Sequence, residues 1–197
     1  MTKYLHVILR KTLSGKSTLQ NKLESQFNIS KIITTTTRPK REFESNDIDY
    51  HFVNIDQYMS DNKNNQTIAT RIYNVINHEK WIYYISKQEL LNMNQQSCLV
   101  IDYDGYLDLK KYIQNNDLDI KLYPWFLDID LKTRIDRYFK TNRSKENHIE
   151  VLRRLYSDEL NFKDITKKSP EIKTIKGLPD MLATITYLNL ERMNQNK

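Results

Sequence analysis

Apolar positions along this chain follow two rhythms, the short buried runs of strands and the three-and-four spacing of helices. Lys3 to Leu9 is a short apolar run rich in β-formers and predicts a buried strand. A Thr-Leu-Ser-Gly turn follows, and Lys16 to Phe27 then carries Leu19, Leu23 and Phe27 at helical spacing. Lys31-Ile32-Ile33 predicts a second strand that runs into a threonine series. Residues 38 to 66 are polar with weak periodicity; His51 to Ile55 is a strand candidate there, and Asp56 is placed to cap a short helix. Thr67 to Ile85 holds β-branched and aromatic residues interrupted at Asn77-His78-Glu79-Lys80, the pattern of a hairpin. Ser86 then caps a helix through Met93, with Glu89 three residues on completing a capping box.

Cys98 to Ile101 predicts another buried strand, ending at Asp102. Leu107 to Ile113 reads as a helix, Leu122 to Ile129 as a strand made irregular by Pro124, and Leu131 to Phe139 as a helix. Lys140 to Asn147 is a polar linker. Ile149 to Phe162 is a helix with Leu152, Leu155 and Tyr156 on one face. Ile172 to Ile175 forms a last strand, and Pro179 to Arg192 a last helix with proline in its first turn. Strands alternating with helices predict an α/β fold built on a parallel sheet flanked by helices.

Composition narrows the class. The 197 residues suit one domain, and 39% hydrophobic residues with 28% charged ones can bury a core. No window holds enough apolar residues for a membrane span, and the basic turn after Leu9 does not read as a signal peptide. A single cysteine, Cys98, excludes a disulfide framework and a cysteine-rich metal site, so a reducing compartment, the cytoplasm, is expected. His6, His51, His78 and His148 lack metal spacing. A net charge of +6 suits nucleic acid or small phosphorylated ligands equally, but no nucleic-acid motif is present. A monomer or homodimer is expected. Glycine is scarce, at Gly15, Gly105 and Gly177 only. Where it survives, the backbone is expected to need it.

Gly15 stands in Ser14-Gly15-Lys16-Ser17-Thr18, between the first strand and the first helix. That is the setting of a phosphate-binding loop, in which backbone N–H groups and the helix N-terminus cradle phosphate, Lys16 reaches the outer phosphates and the Ser17 hydroxyl binds Mg²⁺. Two glycines of the pattern are absent, their positions being Arg10 and Leu13.

A second signal is Thr34-Thr35-Thr36-Thr37-Arg38-Pro39-Lys40-Arg41-Glu42-Phe43-Glu44, followed by Asp49-Tyr50-His51-Phe52-Val53. Two arginines three apart with a tyrosine nearby can grip one phosphate through bidentate hydrogen bonds. This segment closely resembles the nucleoside-monophosphate-binding segment of guanylate kinases, without a gap from Thr34 to Val53. Tyr83-Tyr84-Ile85-Ser86 resembles that family's Tyr-Tyr-Gly-Ser, Ile101-Asp102-Tyr103-Asp104 its Asp-Ile-Asp at a strand end, and Arg153-Arg154-Leu155 the helix after its lid.

The resemblance implies a P-loop kinase core with a small monophosphate-binding region (34–90) and a lid (134–154), the core being 1–33, 91–133 and 155–197. It implies that Arg38, Arg41, Tyr50 and Tyr84 hold the acceptor phosphate, while Thr34, Ser86 and Asp104 face the base. Asp102 would sit near Mg²⁺ beside Ser17. Lys16 would stabilise the transferred phosphoryl, joined by lid arginines, for which Arg154, Arg134, Arg137 and Arg143 are the candidates. The implied activity is transfer of the ATP γ-phosphoryl group to a nucleoside monophosphate such as GMP or dGMP, with ATP and Mg²⁺. The alternative is a catalytically impaired guanylate kinase-like binding module that recognises a phosphorylated ligand or protein partner. Lys16, Ser17, Thr18, Asp102 and the lid arginines have little use in a scaffold and favour the enzyme. The family's guanine-reading glutamate falls, by ungapped count, on Ala69, which predicts relaxed guanine preference; Glu79 is a substitute candidate.

Overall fold

The computed structural model describes residues 1–75, 79–140 and 148–176, together with Asp180, Ala183 and Thr186. In chain order the elements are β1 (Lys3–Arg10), α1 (Lys16–Phe27), β2 (Ser30–Lys31), β3 (Thr35–Thr36), β4 (His51–Phe52), α2 (Ile55–Lys63), β5 (Thr67–Asn74), β6 (Lys80–Ser86), α3 (Lys87–Leu91), β7 (Gln96–Ile101), α4 (Tyr103–Asn115), β8 (Ile120–Leu127), α5 (Leu131–Lys140), α6 (His148–Asn161), α7 (Ile165–Lys168) and β9 (Lys173–Ile175). One sheet has the order β2-β7-β1-β8-β9, with β2–β7 and β8–β9 paired in parallel. A smaller mixed sheet has the order β4-β3-β6-β5, in which β3 meets β4 in parallel and β6 meets both β3 and β5 antiparallel. The fold is α/β, as the alternation predicts.

The expected elements recur with instructive shifts. Ile32 lies just past β2, yet its N–H still bonds the Cys98 carbonyl at 2.8 Å, so the pairing outlasts the strand by a residue. The cap of α2 is Asn54, whose side chain accepts from the Gln57 N–H at 2.8 Å; Asp56 sits inside the first turn, where its charge favours the helix N-terminus. Ser86 caps α3 by accepting from Glu89 N–H at 3.3 Å, but the Glu89 carboxylate lies 3.3 Å from His51 Nε2. In α6 the expected apolar face is corrected. Val151 and Leu155 are buried, one turn apart, whereas Leu152 and Tyr156, one position further round, are 61% and 69% exposed. The one-turn α7 is too short to leave a periodic signal. The predicted linker at 141–147 lies outside the described residues, as does most of the predicted last helix, of which Asp180, Ala183 and Thr186 are helical.

By their internal contacts the residues form two compact units. The first, residues 1–7 and 29–123, holds the small sheet with β2, β7 and α2 to α4, and buries Leu5, Ile29, Leu90, Leu99, Tyr106 and Leu109 almost completely. The second, residues 8–28 and the described residues from 124 onward, holds the Gly15 loop, α1, β9 and α5 to α7. It buries Ile8, Leu9, Leu23, Trp125, Val151 and Ile165, and Phe126 stacks on Phe162 at 5.2 Å. Each such buried side chain contributes about 1.5–3 kcal/mol.

Candidate functional site

In the first unit, Glu44 gathers the arginines of the Thr34–Val53 segment. The Arg38 Nη2 donates to Glu44 Oε1 at 2.7 Å, the Arg41 backbone N–H donates to Glu44 Oε2 at 2.9 Å, and Arg41 Nη1 lies 3.8 Å from Oε1. Arg38 is only 4% exposed. Its Nε donates to the Tyr83 hydroxyl at 3.1 Å and its Nη1 to the Pro39 carbonyl at 2.8 Å. Its guanidinium lies over the Tyr50 and Phe52 rings at 5.4 and 5.5 Å. Three of its five N–H donors are thereby used, leaving one on each Nη outside these bonds. Burial pushes the Glu44 carboxyl up, but the hydrogen bonds from the Arg38 side chain and Arg41 backbone outweigh it and hold the carboxyl below its usual range.

Arg38, Arg41 and Tyr50 therefore converge, and Tyr84 does not join them. Alternation on β6 sends neighbouring side chains to opposite faces. Thr36 pairs with Tyr83, and Thr35 with Tyr84. Tyr83 thus meets Arg38, while the buried Tyr84 hydroxyl donates to Asp61 Oδ2 at 2.6 Å. Burial, with Asp61 beside it, pushes the Tyr84 hydroxyl well above its ordinary range. Sequence alone shows two adjacent tyrosines; the register with β3 decides which one faces the arginines.

An aromatic ladder continues along the same face. Tyr83 meets Tyr73 edge-on at 5.6 Å, and the Tyr73 hydroxyl bonds Asp102 Oδ2. Asp102 Oδ1 accepts from Arg71 Nε at 3.2 Å and from the Gly105 N–H at 2.7 Å, capping α4. Arg71 also donates to Asp108 at 2.8 Å. Both Asp102 oxygens thus accept hydrogen bonds from protein groups. Gly105 is required by space: a Cβ there would lie 2.5 Å from Ile101 and 2.8 Å from Asp102 Oδ1.

The base-facing candidates lie apart in character. Ser86 spends its hydroxyl on the α3 cap, the Thr34 carbonyl accepts from His51 N–H at 3.0 Å, and Asp104 is exposed in the first turn of α4. Ala69 stands at φ +52°, where β5 shifts register against β6 between Ile68 and Arg71. This bulge sets two residues opposite one and turns Arg71 and Tyr73 to the Tyr83 face. Arg71 and Tyr73 had no motif to announce them. Asn77 and His78 lie outside the described residues; the Glu79 carboxylate is 3.4 Å from the Trp81 ring N–H.

The second unit holds the loop. Gly15 caps α1 at φ +97°, in the left-handed region that glycine tolerates. No acidic residue and no side-chain cap satisfies the first-turn N–H groups, and Ser17 and Thr18 are exposed there. The Ser14 Oγ is buried with no hydrogen-bond partner among the described residues. Open N–H groups beside a buried, unpaired hydroxyl suit an anion such as phosphate. The side chain of Lys16 lies outside the described residues. Leu13 adopts φ +65° at one missing-glycine position, a conformation that costs a non-glycine residue about 1–2 kcal/mol.

The arginines expected in the lid are occupied by protein groups. Arg134, fully buried, donates to the Thr12 carbonyl at 3.3 Å and pairs with Asp158 at 3.4 Å and with Glu159. Arg137 donates to the Leu13 carbonyl at 3.2 Å. Arg154 lies 3.4 Å from Glu150, which Arg153 also grips through two 2.8 Å hydrogen bonds. Arg143 lies outside the described residues. No motif signalled Asp158, since its partner Thr12 is 146 positions away.

Comparison with known proteins bears on both units. The guanylate kinase family model matches residues 2–75. The guanylate kinase of Chlorobium luteolum is 29% identical over 125 residues, covering 62% of this chain and 61% of that protein. That of Blochmanniella floridana is 34% identical over 125 residues, covering 60% of this chain and 57% of that protein. The match thus spans about three fifths of the length of these curated relatives. The crystal structure of guanylate kinase from Anaplasma phagocytophilum, at 20% identity, superposes with a TM-score of 0.61 over 100% of this chain and 88% of its own. The chain is thus similar in sequence to guanylate kinases through the loop and the Arg38–Arg41 segment, and similar in fold to one of them over its whole length.

Proposed function

We propose that the protein is an ATP-dependent nucleoside monophosphate kinase, converting ATP and a nucleoside monophosphate to ADP and a nucleoside diphosphate. What carries this reading is the convergence of Arg38, Arg41 and Tyr50 around Glu44 in one segment of a chain similar to guanylate kinases. Arg38 and Arg41 bind the acceptor phosphate, and Glu44 and Tyr83 fix the Arg38 guanidinium, leaving one N–H on each Nη for the ligand. Loop and α1 N–H groups bind the donor phosphates, and Lys16 stabilises charge on the phosphoryl in flight. Mg²⁺ would neutralise phosphate charge and would be held by Ser17. Asp102, tied to Arg71 and Tyr73, is assigned no part in holding it. With no carboxylate at Ala69 and Arg71 on the ladder face, GMP is not favoured by the margin of a strict guanylate kinase.

The test is ADP release, coupled to NADH oxidation, with ATP, Mg²⁺ and GMP, dGMP, AMP, UMP or dTMP. Arg41→Ala is expected to weaken acceptor binding by about 1.5–3 kcal/mol, the loss of a charged hydrogen bond. A specific observation favours the binding-module alternative as well, namely that Arg10 and Leu13 stand where the loop pattern has glycine. Monophosphate binding by calorimetry without ADP release from any acceptor would establish that alternative and end the enzyme reading.

A further inference from the structure

Leu13 holds a left-handed conformation without being glycine, so something outside the loop must keep it there. Lys11, Thr12 and Leu13 are each tied to other elements of the second unit. Lys11 Nζ pairs with Glu159 at 3.2 Å and Asp128 at 3.5 Å. The Thr12 N–H donates to Asp158 Oδ2 at 2.5 Å, while its carbonyl accepts from Arg134. The Leu13 carbonyl accepts from Arg137. Arg134 and Asp158 also pair with each other, closing the set.

The directions of these bonds matter. In a trans peptide the carbonyl and the following N–H point opposite ways. Anchoring the Thr12 and Leu13 carbonyls on arginines therefore turns the Leu13 and Ser14 N–H groups away from those arginines, and Ser14 N–H lies 3.3 Å from the Lys11 carbonyl across the turn. None of the ties takes an N–H of the α1 terminus, so they brace the loop without filling it.

We propose that Asp158, acting through the Thr12 peptide and Arg134, is a positioning residue that holds the phosphate loop in its binding form in place of the absent glycines. The proposal rests on the kinase reading of the loop, and it moves Arg134 and Arg137 from phosphoryl contact to loop support. Burial raises the Asp158 carboxyl, opposed by its hydrogen bonds to Thr12 and by Arg10 and Arg134, which are the groups facing it.

The experiment uses the full chain. Calorimetry measures ATP affinity with Mg²⁺, and mass-detected hydrogen exchange follows the peptide spanning Thr12–Gly15, in the parent, Asp158→Ala, Leu13→Gly and the double variant. Asp158→Ala is expected to weaken ATP about tenfold or more and to speed loop exchange. Leu13→Gly in that background is expected to return affinity to within about threefold of the parent, because glycine takes the left-handed conformation unaided. Unchanged or tighter ATP binding in Asp158→Ala overturns the proposal, tighter binding meaning that Asp158 competes with phosphate. So does a double variant as weak as Asp158→Ala. If the parent itself binds no ATP, the kinase reading fails on its own, and exchange then decides: faster loop exchange in Asp158→Ala, reversed by Leu13→Gly, upholds the clamp, and unchanged exchange ends it. Should Asp158→Ala not fold, Arg137→Gln carries the same comparison at the Leu13 carbonyl.

Discussion

Glu44 shows what a single residue contributes that a motif does not reveal. It lies in the segment that resembles the family, yet a carboxylate beside a phosphate grip looks repulsive on charge alone. Its position explains it: nearly buried, it binds the arginines and sets their geometry before any ligand arrives. Its carboxyl is held below the usual 4.5, so its ionised form stabilises the fold above that pH, and the contribution is lost as pH falls through the depressed value. The stability difference between parent and Glu44→Gln, from urea unfolding, is therefore expected to be full at about pH 6 and to shrink below about pH 4. A difference independent of pH would mean that the pairing with Arg38 adds nothing to stability. At this scale Arg38 and Arg41 were legible because their spacing is local. The choice of Tyr83 over Tyr84 was not, because it depends on a register with β3 that no window of sequence contains.

At the scale of the element, the β5–β6 hairpin was legible in outline and its decisive detail was not. β-branched and aromatic residues with a polar break predict two strands, and Thr67–Asn74 and Lys80–Ser86 supply them. The bulge at Ala69 has no compositional mark, since alanine carries a φ of +52° where glycine would have announced it. Ala69→Gly is expected to raise stability by up to about 1 kcal/mol, and Ala69→Val to lower it by about 1–2 kcal/mol, since a β-branched side chain tolerates this conformation poorly. Thermal unfolding measures both. Monophosphate affinity should fall with valine and hold with glycine, because only valine presses the strand to abandon the bulge that turns Arg71 and Tyr73 to the Tyr83 face. Equal effects of the two substitutions would show that φ at Ala69 is not what matters. Helix α6 makes a related point. Its helical period was visible, but Leu152 and Val151 are equally apolar, and only packing selects Val151.

At the scale of the molecule, strand, loop and helix at the N-terminus were legible because sheet and helix periods alternate cleanly there. The clamp of α5 and α6 on the loop was not, because it joins Thr12 to Asp158. Each of the two compact units carries its own set of candidate ligand-binding residues. The arginines of the acceptor segment and their partners Glu44, Tyr50 and Tyr83 all belong to the first unit, and the loop with α1, Arg134 and Asp158 to the second. A substitution in one is expected to leave ligand binding in the other nearly intact while removing the proposed phosphoryl transfer. Lys16→Ala should abolish ADP release yet bind monophosphate within about twofold of the parent, and Arg38→Ala should lose about tenfold or more in monophosphate affinity yet bind ATP as the parent does. Calorimetry with each ligand alone, beside the coupled assay, reads all four outcomes. The cross-effects carry the argument. If Lys16→Ala weakened the monophosphate as much as Arg38→Ala does, the acceptor phosphate would have to be held by the loop. The convergence of Arg38 and Arg41 around Glu44 would then be a brace for the small sheet rather than a grip.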